Sequence, residues 1–122
     1  MLKAGTAARR RSLRWPEPMS GPSQQAGVER FLDVLDRRLQ ERDPNWVGHC
    51  KLLLTSPDGS AYASMTAAGD RPRWAGTPGA STGVEITIYV AIYGLTDGDV
   101  AAALDGVLAA EPLLGEAGVA AS

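Results

Sequence analysis

From Val28 onward the apolar positions follow two different periods. Val28, Phe31, Leu32, Leu35 and Leu39 recur at helical spacing, while Glu29, Arg30, Asp33, Asp36, Arg37 and Arg38 fill the other side. This spacing predicts an amphipathic helix over 27–42, stopped where Pro44 disfavours helical geometry at Asp43. The stretch WVGHCKLLLTSPDGSAYASMTAA then carries two β-like runs around SPDGS. There Pro57 supplies the first turn torsion and Gly59 tolerates a positive φ, so the segment predicts a hairpin.

Residues 69–83 have no period and are rich in glycine, which predicts a long loop carrying Trp74. VEITIYVAIY alternates cleanly, with Val84, Ile86, Ile88, Val90 and Ile92 on one side of a strand. Gly94 ends it. Thr96 is placed to cap a second helix, with Asp97 and Asp99 at its positive end and Val100, Leu104, Val107 and Leu108 as its apolar stripe. The predicted fold class is therefore α+β with two layers. It has the order helix, hairpin, strand, helix, a three-stranded antiparallel sheet, and both helices on one face because each has one stripe to bury.

Outside this body the pattern fades. Residues 1–26 combine an arginine run, X-Pro steps and small polar residues without period, and are expected to form a disordered basic tail. Met19 offers an alternative start, with the first 18 residues an over-extended reading frame. The ordered domain is expected over 27–111, and 112–122, rich in Gly and Ala, as a flexible C-terminal tail.

Charge sharpens the division. The chain of 122 residues carries a formal net charge of −2, yet residues 1–27 hold Lys3, Arg9, Arg10, Arg11 and Arg14 against Glu17 alone, leaving an acidic remainder. The arginine run does not lead into the apolar segment that an export signal needs, and no apolar run is long enough to cross a bilayer. A single cysteine rules out an internal disulfide and fits the cytoplasm.

Candidate chemistry centres on NWVGHCKLLL, residues 45–54, which hold the sole histidine and sole cysteine side by side. On a strand, neighbours point to opposite faces, so Trp46, Cys50, Leu52 and Leu54 face the helices and His49, Lys51 and Thr55 face away. That separates His49 from Cys50 and excludes a simple dyad between them. One His and one Cys leave a zinc site short of ligands, and no GxxxxGK[ST] phosphate loop is present, so no metal and no cofactor is assigned.

The same alternation puts Tyr62, Ser64 and Thr66, and Glu85, Thr87, Tyr89 and Tyr93, on the side of His49 and Lys51. The leading expectation is a non-enzymatic binding domain that docks a protein partner or small ligand there, with His49, Lys51, Tyr62, Glu85 and Tyr89 as contacts. The alternative is a small enzyme with His49 as general acid or base beside Lys51 or Glu85. A third possibility is nucleic-acid contact through the basic tail, with Trp15 stacking; the sheet face itself, with Lys51 its one cation, lacks the footprint. Sheet pairing between two copies makes a homodimer a further expectation.

VGHCKLLL, AYASMT and VEITIYVAIYGLTDGDVAAALDGVLA together resemble the segment that follows the nucleotide-binding domain in some CobW-type GTPases, a family associated with metal and cobalamin metabolism. The likeness spans roughly residues 46–109, with Gly48-His49-x-Lys51 its most motif-like piece. It implies an accessory domain without its engine, because the phosphate loop and the metal-binding cysteine motif of that family have no counterpart in this sequence. The partner it implies is a separately encoded GTPase.

Overall fold

In the computed structural model, which describes residues 3–114 and 119–120, the chain begins with a strand where the sequence predicts a tail. Strand β1 covers Ala4–Met19 and pairs antiparallel with β5, Ser81–Tyr93, in continuous register from Ala4 opposite Tyr93 to Arg14 opposite Gly83. The pairing slips between Arg14 and Met19, across Pro16 and Pro18, which cannot donate to the ladder. Alternation holds along the strand: Ala7, Leu13 and Trp15 are buried, while Thr6, Ala8, Arg10 and Arg14 are exposed.

Helix α1, Gly21–Arg42, starts six residues before the expected boundary at 27, capped by Ser20, whose hydroxyl accepts from the Ser23 N–H at 3.1 Å. Its first turn is anchored by polar rather than apolar contacts: buried Gln24 donates to the carbonyls of Met19 and Gly79, at 3.0 and 2.8 Å. Strands β2, Val47–Ser56, and β3, Gly59–Ala67, form the predicted hairpin, with Gly59 at φ 136°. Within the expected loop, Arg73–Ala75 forms a short strand β4 on the outer edge of β3, and Trp74 Nε1 donates to Glu29 of α1 at 2.8 Å. Helix α2, Asp97–Ala110, carries the anticipated Thr96 cap, closed into a capping box with Asp99.

The predicted three-stranded sheet is corrected to five antiparallel strands in the order β4-β3-β2-β5-β1. A two-residue strand β6, Val119–Ala120, adds to the far edge of β1 opposite Leu13 and Arg14. Strands β1 and β2, joined through α1, both run antiparallel to β5, which lies between them; this is a split β-α-β arrangement. Leu114 is buried beside Gly27 of α1, so the packed region extends past 111; residues 115–118 and 121–122 of the expected tail lie outside the described residues.

One core joins both helices to the inward strand positions, including Phe31, Leu35, Trp46, Leu52, Ile88, Ile92 and Leu104. The helices run antiparallel, tied by Arg42–Asp99 at 3.2 Å and Arg30–Glu111 at 3.6 Å. Asp36, which the helical pattern places among the solvated positions, is buried instead and accepts from Trp46 Nε1, Gln40 Nε2 and the Gly69 N–H. No helix among the described residues is long and apolar enough to cross a membrane.

Candidate functional site

Both helices pack on one side of the sheet, which leaves the other side open. Among the described residues, the exposed large hydrophobic side chains, Val47, Tyr89 and Tyr93, belong to this open face, at 55%, 44% and 44% exposure. Register fixes its layout. Lys51 on β2 lies between Ser64 on β3 and Tyr89 on β5, and Tyr89 in turn faces Ala8 on β1. One step along, Tyr62, Leu53, Thr87 and Arg10 form the next cross-strand row. His49 pairs with Ala91, which pairs with Thr6.

His49, Lys51, Tyr62 and Tyr89 therefore form one patch, with the Lys51 ammonium 4.0 Å from the centre of the Tyr62 ring. Glu85 does not join it. It pairs with Thr55, six residues along β2 from His49, so roughly 20 Å separates the two along the strand. Its nearby charge is Arg10, at 3.8 Å. His49 has no side-chain hydrogen-bond partner among the described residues, and Lys51 stands on the same face two positions on. A histidine base needs a group that orients it, and none among the described residues bonds to His49.

The neighbouring thiol is equally unsuited to chemistry. Cys50 is fully buried on the opposite face, and burial, aided by the negative charge of Asp36, pushes its pKa up to about 12. Among the described residues, no three His, Cys, Asp or Glu side chains are grouped so as to hold a metal ion.

The contribution of β1 was invisible in the sequence pattern. Its arginines divide by parity: Arg10 and Arg14 point to the open face, while Arg9 and Arg11 are half-buried on the helix side. Arg9 grips Asp105 of α2 through two bonds of 2.8 and 2.9 Å, which holds the Asp105 carboxyl below its usual pKa. Asp97 of α2 accepts from the outward N–H of Thr6, covering part of the β1 edge. Trp15, expected to stack on a ligand from a free tail, is buried at 6% exposure and belongs to the core. Strand β4 adds Arg73, opposite Ser64, to the open face.

Strand positions of the open face, from Ala4 to Arg14 on β1 and through β5, β2, β3 and β4, thus carry Arg10, Arg14, Lys51 and Arg73 against one carboxylate, Glu85. On the other layer α2 carries Asp97, Asp99 and Asp105 and no base, while α1 balances four acids with four bases; Asp70 accepts from the Thr66 hydroxyl beside the open face. At the Arg14 end the face dips into a shallow depression lined by Ser12, Arg14, Thr55, Pro57, Thr82 and Glu85. No protein-family model, curated protein or solved structure matches the chain.

Proposed function

We propose that this chain is a non-catalytic binding domain, an accessory module that holds a partner on its open sheet face. The observation that carries this is the concentration of Val47, Tyr89 and Tyr93 on the single uncovered side of the sheet. A sheet face that only meets water is satisfied by short polar side chains. Here tyrosines stand beside Leu53 and a lysine–aromatic contact, a combination that gives contact area with polar tips. The lone buried thiol suits a reducing compartment such as the cytoplasm.

Catalysis by His49 is the weaker account, because Glu85 is a strand's length away and the thiol faces the core. The test is capture from the native lysate, with proteins and nucleic acids both identified, comparing the wild type with a folded His49→Ala/Tyr89→Ala variant. A ligand held by the wild type and lost by the variant supports the proposal. A GTPase among such ligands would extend the resemblance to the CobW-type accessory segment. Identical captures from both would refute the open face as a binding surface.

A further inference from the structure

We infer that the occupant of the open face is single-stranded nucleic acid, with bases stacked on Tyr89 and Tyr93 and phosphates held by Arg10, Arg14, Lys51 and Arg73; this rests on the open face being a binding surface. Three observations combine. The first is charge: the chain is net negative, yet the strand positions of this face bear four cations against Glu85, with Asp70, bonded to Thr66, at the β3 side. An anionic occupant is attracted to those strand positions.

The second is the placement of the rings. Tyr89 and Tyr93 stand four residues apart on the same side of β5, about 13 Å along the strand. The positions between and beside them are small: Ala91 on β5, and Ala8 and Ala4 opposite the two tyrosines on β1. Both rings remain open to water on a flat surface, with His49 one strand away opposite Ala91. Every base has a π face that such a platform accepts whatever its sequence.

The third is the neighbourhood of Tyr89. Tyr89 faces Lys51 directly across one ladder, and Arg10, opposite Thr87, is its diagonal neighbour across the other, about 7–8 Å away. A strand of bases on β5 would run with cations on both flanks. A second copy of this chain fits less well, since two such faces would bring like charges together. An acidic peptide would satisfy the charge but leave the planar rings without a purpose.

The experiment is fluorescence anisotropy of the full chain with a labelled oligouridine, a labelled single-stranded DNA of the same length and an unlabelled duplex competitor, from 50 to 200 mM salt. Expected is binding to the single strands, weakened roughly 5- to 150-fold by Tyr89→Ala or Tyr93→Ala. The salt slope should be about −2 to −3 for three to four neutralised phosphates, and should shrink by about 1.4 in the Arg10→Ala/Arg14→Ala variant. Circular dichroism of each variant guards against loss of the fold.

No binding at 50 mM salt, binding indifferent to both tyrosines, or a tyrosine-dependent homodimer in sedimentation would each overturn the inference. So would equal competition by polyglutamate with no role for the rings. If oligonucleotides fail while lysate capture of a protein still depends on Tyr89, only the nucleic-acid inference falls. If both fail, the binding face falls with it.

Discussion

Replacing Asp36 by Ala tests how the helix layer is locked to the hairpin. The carboxylate accepts from Trp46 Nε1 at 2.9 Å, Gln40 Nε2 at 3.0 Å and the Gly69 N–H at 3.1 Å, and so joins α1 to the start of β2 and the end of β3. Gln40 can turn to water and the exposed Gly69 can be rehydrated, but the indole N–H of Trp46 is fully enclosed and has no other partner. Stranding a buried donor costs about 1–3 kcal/mol, and losing a bond to a charged acceptor at a partly exposed N–H adds about 1 kcal/mol. Relief of the buried charge offsets part of this, for a net loss of roughly 1–3 kcal/mol.

Urea unfolding followed by tryptophan fluorescence would show this as a midpoint lowered by about 1–2 M at an unchanged slope. Asp36→Asn keeps an acceptor for Trp46 but turns an amide N–H₂ toward the Gly69 N–H, and should fall between wild type and Asp36→Ala. Trp46→Phe removes the indole donor, so the two changes should be less than additive by about 1 kcal/mol in a double-mutant cycle. A change below about 0.5 kcal/mol for Asp36→Ala, or strict additivity with Trp46→Phe, would refute the reasoning.

Cys50, with its pKa near 12 and no exposed surface, should resist a disulfide reagent at pH 8 in the folded protein and react at once in urea; rapid native labelling would disprove its burial. Gly48→Ala should destabilise by more than about 2 kcal/mol in the same urea assay, because a Cβ there would collide with the Ala91 carbonyl in the β2–β5 ladder; near-wild-type stability would contradict that close approach. Acid should loosen the fold in a defined window. Asp105 is held low by Arg9, Asp99 by the Thr96 N–H and Asp70 by the Thr66 N–H. Their stabilisation is complete above the unfolded carboxyl pKa of about 3.9 and is lost as pH falls through the lower folded values. Melting curves from pH 6 to 2 should therefore decline chiefly below about pH 4, and a decline beginning above pH 5 would point to other groups.

Elements whose side chains carry their own period were legible. β5 shows five inward aliphatics in strict alternation, α2 shows a cap and a stripe, and the hairpin shows its turn residues. β1 was not, because its inward positions include Gly5, Ala7, Arg9 and Arg11, which read as polar or neutral; only the ladder to β5 and the Asp105 and Asp97 contacts make it a strand. The first turn of α1 was hidden for a similar reason, being fixed by Gln24 to distant carbonyls rather than by apolar burial. β4 is three residues long, too short for any period. For the site, parity alone placed His49, Lys51, Tyr62 and Tyr89 together, but missing β1 and β4 concealed three of the four cations and made the face look neutral.

The pairing of β1 with β5 joins distant parts of the chain. Ala4 meets Tyr93 and Leu13 meets Val84, so this ladder spans most of the chain, whereas the β2–β3 hairpin closes over a handful of residues. Closing so large a loop carries the greater entropic cost and comes with slow, non-local assembly. β1 must wait for β5, which follows it by more than sixty residues, before this ladder can form. Arg10 and Arg14 take their positions only then, so until this ladder closes Tyr89 has Lys51 on one flank and no arginine on the other.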